Sequence, residues 1–371
     1  MITDIKNKII VVIGLGPSGL FVTRQLHNLN KRIIGVGKTD DIGRYSKFLE
    51  KQFVANNAQE LYATVKKIVS SVDIKPIGLV CSDAYLTYII EEYPQIFEML
   101  SFISPDERTL RLMYDKEALS KMLKTLNVRT PHRYSELYQI QYPVIIKPII
   151  KRGKSPIPKI SFVDNAEQLN MLLSMASAGG LNIDDIIIQE KISGDNDTEY
   201  GYGGYFENGQ LKNDVAFIQA RQYPQGVSCT VIEINDEKRI NSLRKLTYPI
   251  IFALNYSGFI QFDIKEDSKT KNLYVLDINP RPWGSISIMQ PKGENKYGNV
   301  FLQSNNQGRN AIWHFPLKEL LSFRNKKNIP FHKCRLMAPQ NTVTLVDLWD
   351  SNDLKPFLMQ PIVLLMKLFK R

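Results

Sequence analysis

The sequence predicts an α/β domain followed by an α+β region. Three observations carry this reading. Residues 9–36 run strand, glycine-rich turn, amphipathic segment, strand, which is a βαβ opening. Residues 199–220 read as two strands around Glu207-Asn208-Gly209, a strong hairpin turn. Residues 258–285, GFIQFDIKEDSKTKNLYVLDINPRPWGS, read as a second hairpin, with apolar-alternating runs on either side of a polar turn.

Composition sets the outer bounds. A chain of 371 residues suffices for two or three domains with a sizeable core. Its 43% hydrophobic and 23% charged residues are ordinary for a globular protein. The net charge of +11 suits phosphorylated substrates, an anionic membrane surface or nucleic acid. The sequence has no helix-turn-helix, zinc-finger or RNA-binding signature, which sets nucleic acid aside. Cys81, Cys229 and Cys334 are scattered and lack metal or disulfide spacing, so the chain suits a reducing cytoplasm. Asp4 and the early Gly14 and Gly16 read as a strand start rather than a signal peptide. No run approaches the ~18 apolar residues of a membrane span.

The first strand, 9–16, leads into Gly14-Leu15-Gly16-Pro17-Ser18-Gly19 and a second strand at 32–36. The GxGxxG turn reads in two ways. One is a dinucleotide site with the pyrophosphate on the helix N-terminus. The other is a tight strand–helix turn that meets a carboxylate through backbone N–H groups. The acidic residue that a dinucleotide ribose needs is missing, because Gly37 and Lys38 stand where it belongs. A helix at 57–71, a strand at 77–81 and a helix at 83–92 complete an open α/β sheet. Asp83 sits at a strand end or N-cap, and Asp115 is placed to cap a helix over 116–126.

A new section begins near Pro131. The strand Tyr142-Pro143-Val144-Ile145-Ile146-Lys147-Pro148 ends in a lysine, and Lys151-Arg152-Gly153-Lys154-Ser155 follows. That basic turn either covers phosphates or is a solvated loop. A strand at 160–163, a helix at 165–176 and a strand at 185–189 run into Glu190-Lys191-Ile192. Arg221 ends the first hairpin, where it either binds an anion or pairs on the surface. A strand at 229–234 and a helix at 236–253 precede the second hairpin.

Within that hairpin, alternation puts Ile260, Phe262 and Ile264 on one face and Phe259, Gln261 and Asp263 on the other. On the return strand, Tyr274, Leu276 and Ile278 share one face, and Asp277 and Asn279 share the opposite one. Pairing about position 270 sets Asp263 opposite Asp277. Two neighbouring carboxylates repel unless a cation lies between them. Oxygen-only ligands suit a hard ion such as Mg²⁺, with Mn²⁺ as the alternative. Arg281 adds a planar cation suited to phosphate or carboxylate. The plainer reading is a solvated acidic face. Past residue 290 the pattern loosens, and residues 356–371 form an apolar tail ending in Lys367, Lys370 and Arg371. The tail either lies in an anionic membrane interface or docks as a terminal helix.

Taken in order, these pieces resemble the ATP-grasp superfamily of carboxylate–amine ligases over roughly residues 8–290. The resemblance rests on the glycine-rich first turn, Lys116, Val144-Ile145-Ile146-Lys147-Pro148, Gln189-Glu190-Lys191-Ile192, Glu199, Phe262-Asp263 and Leu276-Asp277-Ile278-Asn279-Pro280-Arg281. It implies a Rossmann-like domain at 1–112, ATP-grasp subdomains at 113–195 and 196–310, and a C-terminal extension at 311–371.

Roles follow at the matching positions. Lys116, Lys147 and Lys154 would hold the ATP phosphates, Glu190, Lys191 and Ile192 the adenine, and Glu199 the ribose. Asp263, Asp277 and Asn279 would hold Mg²⁺, and Arg281 and Arg221 would steady the transferred phosphoryl group. Gly16, Ser18, Gly19, Asp83 and Ser285 would meet the substrate. Two departures from the pattern stand out: a Lys/Arg-rich phosphate loop carrying Pro156 and Pro158, and aspartate at 277 where glutamate is frequent.

Tyr45-Ser46-Lys47, Arg221-Gln222-Tyr223-Pro224 and Asn279 to Ser285 look most like the D-aspartate ligase branch and related ligases of cell-envelope polymer synthesis. The implied activity is ADP-forming amide synthesis through an acyl phosphate. The implied partners are a small carboxylate and an amine, the latter a lipid-linked or polymeric glycan precursor. The implied location is the cytoplasm, peripheral on the inner face of the membrane. Two rival functions remain: a nicotinamide-dependent oxidoreductase using the GxGxxG turn, and a non-catalytic ATP-binding membrane scaffold.

Overall fold

The computed structural model describes residues 8–102, 105–149, 155–224, 226–290, 299–301, 310–325, 328–338 and 342–369. Its first sheet holds β1 (Ile9–Ile13), β2 (Arg32–Gly37), β3 (Lys51–Val54), β4 (Ile77–Val80) and β5 (Ser101–Phe102), all parallel, in the order β3-β2-β1-β4-β5. Every residue of β1 is buried, which explains its unbroken apolar run: a central parallel strand is covered on both faces. Ile10 and Val12 meet Val22 and Leu26 of helix Pro17–His27. Val11 and Ile13 meet Leu61 and Val65 of helix Ala58–Val69 on the other side.

The glycines of the first turn have local work. Gly14 takes φ +96°, open to glycine and strained for other residues. A Cβ on Gly19 would lie 1.9 Å from the Gly14 carbonyl oxygen, so the helix can approach the strand only with glycine there.

A small antiparallel sheet follows, of β6 (Val144–Pro148), β7 (Ser161–Val163) and β8 (Ile186–Glu190), in the order β7-β6-β8. Helix Ala166–Ala178 covers one face, packing Leu169 and Ala176 on Val144, Ile146 and Ile188. The opposite face is left for the site.

The large sheet holds β9 (Glu199–Glu207), β10 (Gln210–Gln222), β11 (Ser228–Glu233), β12 (Gly258–Glu266), β13 (Leu273–Asn279), β14 (Ala311–His314) and β15 (Val343–Leu345). Their order is β13-β12-β9-β10-β11-β14-β15, antiparallel except for β14 with β15. Asn208 and Gly209 both take positive φ, as a two-residue type I′ hairpin turn requires. Helix Glu237–Ala253 covers one face through Leu243, Ile250 and Ile251. The other face joins Tyr205, Phe217, Phe259 and Trp283 to Ile10 and Val12 of the first domain in one apolar cluster.

Residues past 310 are divided between these layers. β14 and β15 extend the large sheet, whereas the segment after them returns to the first domain. There the buried Arg24 guanidinium donates to Asp353 Oδ2 at 3.1 Å and to the Asp347 carbonyl at 2.5 Å. Helix Lys355–Phe369 seats Val363 and Met359 on Leu20, Ile42, Tyr45 and Leu348. The tail therefore docks on one side. Its other side stays open, with Leu354, Leu358, Ile362 and Leu365 all exposed. Among the described residues no helix is long and apolar enough to cross a membrane.

Candidate nucleotide and metal site

A cavity of about 370 Å³ lies between the small sheet and the β9–β13 end of the large one. Strand alternation aims Lys147 of β6 and Gln189 of β8 into it, and Glu199, Asp263 and Asp277 face them from the large sheet. Lys116, the first residue of helix Lys116–Thr125, closes one end.

Asp263 of β12 pairs directly with Asp277 of β13, and Gln261 pairs with Asn279, as symmetry about position 270 predicts. One detail differs. A bulge follows the aspartate pair, so Ile264 pairs with Val275 and Leu276 becomes the extra residue. Val275, with Ile278, therefore joins the core, and Leu276 lines the cavity instead of sharing the apolar face. Alternation alone does not reveal a one-residue insertion in a ladder.

Asp263 Oδ1 accepts from Gln219 Nε2 at 2.6 Å and from Gln261 Nε2 at 2.8 Å. Asn279 Nδ2 donates to Gln261 Oε1 at 2.8 Å. Burial pushes the Asp263 carboxyl above the usual range, and the two amide hydrogen bonds pull it back. Asp277 opens to the cavity but stands in a cleft walled by protein. Loss of bulk water, and then the neighbouring Asp263, push its carboxyl up. Burial also depresses Lys147, which Asp277 and Asp263 oppose. Two carboxylates and two side-chain amides form an oxygen-rich donor set that fits a hard divalent cation. Such a cation would relieve the carboxylate repulsion.

Arg281 does not reach into the cavity lining. Its Nε and Nη2 grip the two carboxylate oxygens of Asp83, and Nη2 also donates to Asn279 Oδ1 at 3.3 Å. Arg281 and Asp83, expected to contact phosphoryl group and substrate, are thus brought together beside Asn279. Arg221 is placed elsewhere. It is 3% exposed, pairs with Glu319 at 2.5 Å, and donates to the Ile329 carbonyl at 2.7 Å. Gln219 and Gln222 of the same strand line the cavity instead.

Glu190 Oε1 accepts from the His132 N–H at 3.0 Å, and the Glu190 N–H donates to the His132 carbonyl at 2.8 Å. Lys191 lies over the Phe162 ring at 5.5 Å, and Ile192 lines the cavity. Glu199 is held by Lys265 Nζ at 3.2 Å and by Gln222 Nε2. Lys154 lies outside the described residues, with the rest of 151–154.

Gly16, Ser18, Gly19 and Ser285 are not among the cavity-lining residues. Ser18 Oγ donates to the Cys81 carbonyl at 3.2 Å, and Ser285 is buried where it starts the turn Ile286–Met289. Sequence reading missed Lys159, Gln219, Gln222 and Lys265, all of which line the cavity. Their signal was weak: a polar residue in a strand reads equally well as a solvated face.

Comparison with known proteins fits this architecture. No model of a known protein family matches the chain. The structure superposes on the biotin carboxylase domain of a Hydrogenobacter thermophilus 2-oxoglutarate carboxylase, solved with MgADP, ADP and bicarbonate. The TM-score is 0.60 at 17% identity, over 76% of this chain and 66% of that one. It also superposes on an L-amino acid ligase from Bacillus licheniformis, with a TM-score of 0.60 at 15% identity, over 80% of this chain and 73% of that one. The fold is the ATP-grasp fold. In sequence, 228 residues are 22% identical to the carbamoyl phosphate synthase large chain of Caldanaerobacter subterraneus subsp. tengcongensis, covering 58% of this chain. The match spans 20% of that relative's length. The cavity lies between the small sheet and the large one, with the Asp263–Asp277 pair in its lining.

Proposed function

We propose that this chain is an ADP-forming ligase that joins a carboxylate, an amino acid or similar acid, to an amine at the expense of ATP. The observation that carries the reading is the opposed Asp263–Asp277 pair facing Lys147 across one cavity. Two carboxylates facing a lysine across a cleft suit a polyanion with its cation, not a neutral ligand.

Lys116 and Lys147 take the ATP phosphates, where their charge offsets that of the transferred phosphoryl group. Asp263, Asp277 and Asn279, with Gln261 beside them, hold Mg²⁺, which neutralises phosphate charge when bound. Glu190 to Ile192 take the adenine, and Glu199 the ribose. A carboxylate is a poor electrophile. When its oxygen bonds to the γ-phosphorus, the bond from phosphorus to ADP breaks, and the resulting acyl phosphate is open to an amine. The amine then forms the amide as phosphate leaves. Asp83 holds Arg281 beside Asn279, where Arg281 positions that amide for the phosphoryl end.

The first turn favours this reading over the oxidoreductase one. Asp41 Oδ2 already accepts from the Leu15 N–H at 3.2 Å and the Lys38 N–H at 2.8 Å, and its charge would repel a pyrophosphate there. The test is an ADP-release screen of L- and D-amino acids with mixed amines. Release that needs both an acid and an amine supports the ligase. ATP binding without release supports a non-catalytic scaffold, and tight NADH binding without ATP binding supports the oxidoreductase.

A second reading concerns location. Helix Lys355–Phe369 contains no acidic residue and is apolar on its outer as well as its docked face. Leu354, Leu358, Ile362 and Leu365 recur at helical spacing on the outer face, Trp349 packs edge-on against Phe357 at 5.0 Å, and the sequence adds Lys367, Lys370 and Arg371. This supports peripheral attachment to an anionic membrane surface, with a lipid-linked or polymeric envelope precursor as the amine. Tyr45-Ser46-Lys47 and Asn279 to Ser285 favour the D-aspartate ligase branch for this activity.

A further inference from the structure

Gln189 carries a feature that the roles above leave unused. Strand β8 alternates: Ile186 and Ile188 enter the small-domain core, whereas Ile187 and Gln189 face the cavity. Gln189 is 7% exposed, and its Nε2 has no hydrogen-bond partner among the described residues. A buried amide donor without a partner is costly, and native structures seldom keep one. Its surroundings do not supply one. Ile145, its partner on β6, lines the cavity, as do Phe162, Ile187 and Ile192. The neighbouring backbone carbonyls of His132 and Pro143 already accept, from the Glu190 N–H at 2.8 Å and from the Lys191 N–H at 3.3 Å.

The cavity therefore offers, on this wall, the apolar side chains of Ile145, Phe162, Ile187 and Ile192 around one buried amide donor. An apolar slot with one or two placed polar groups suits a planar heterocycle. Resting on the ATP reading, we infer that Gln189 is a specificity-determining residue that reads the purine base, its carboxamide Nε2 donating to a ring nitrogen. The hydrogen bond satisfies the donor only when the base is present. A pyrimidine in the same slot presents no imidazole-edge nitrogen and leaves fewer ring acceptors for the amide.

The experiment is calorimetric titration of the full chain with ATP, 7-deaza-ATP and 1-deaza-ATP, for wild type, Gln189→Leu and Gln189→Met. Thermal melting of the free proteins establishes that both variants fold. Wild type is expected to bind one of the two deaza analogues about tenfold more weakly than ATP, which is about 1.4 kcal/mol. Both variants are expected to lose a similar factor for ATP and to show no further loss with that analogue. Wild type that binds both analogues as tightly as ATP, variants that bind ATP as wild type does, or losses that multiply overturn the inference. Wild type that binds none of the three nucleotides overturns the ATP reading itself, and the inference with it.

Discussion

Arg281 and Asp83 meet in a two-point ion pair, with Nε and Nη2 each donating to one carboxylate oxygen. Arg281 lies two residues beyond β13, and Asp83 opens helix Asp83–Thr87 after β4. One pair thus ties the carboxylate-bearing hairpin to the first sheet. Burial works against the Arg281 charge, but Asp83 outweighs it and holds the guanidinium above its ordinary pKa.

The pair predicts a separation of stability from activity. The Asp83 side chain is 56% exposed, so the pair contributes no more than about 1 kcal/mol to folding. Lysine keeps the charge of Arg281 but cannot form the two-point contact. Arg281→Lys is expected to shift the urea midpoint little while lowering kcat/KM for ADP release about a hundredfold. A large loss of stability with unchanged ADP release would contradict this.

Asp347 sets a pH dependence. Burial raises its carboxyl to about 6, against hydrogen bonds from Ser287 and Trp313 and the charge of Arg24. The native state therefore holds this proton more tightly than the unfolded chain does. The resulting stability is fully present below pH ~4, where both states are protonated, and is lost as pH rises through about 6. Asp347→Asn lacks this slope. Relative to wild type, the variant is expected to gain up to about 3 kcal/mol between pH 4 and pH 7, read from urea midpoints. A pH-independent difference would show that Asp347 titrates normally.

The outer face of the terminal helix predicts lipid dependence. Leu358 is 68% exposed, and glutamate there and at Ile362 leaves the docked Val363 face intact. The double variant Leu358→Glu, Ile362→Glu is expected to fold as wild type and to lose co-sedimentation with anionic phospholipid vesicles by about tenfold or more. Equal binding of both proteins, or equal binding to neutral vesicles, would count against the attachment.

Much of the site can be read locally. The Asp263–Asp277 pairing follows from a short polar turn between alternating runs, and Lys147 from the end of an apolar strand. Gly14 and Gly19 mark a turn that the backbone needs, whatever it binds. Long-range features are silent in sequence. Asp353 meets Arg24 across 329 positions, and neither residue carries a local signal of the other. Arg221 looks like an anion ligand until Glu319 closes on it. The Leu276 bulge is set by ladder pairing, which hydropathy does not encode. Gln219 and Gln222 become cavity residues only because the small sheet stands opposite β10.

In the proposed reaction the Asp263–Asp277 floor supports ADP-forming ligation. The direct measurement is steady-state ADP release by wild type and Asp277→Ala, with Mg²⁺, ATP and the acid–amine pair found in the screen. Asp277 opens to the cavity, so its removal should leave the fold intact by thermal melting. ADP release by the variant is expected to fall at least about a hundredfold. Turnover unchanged from wild type would contradict it.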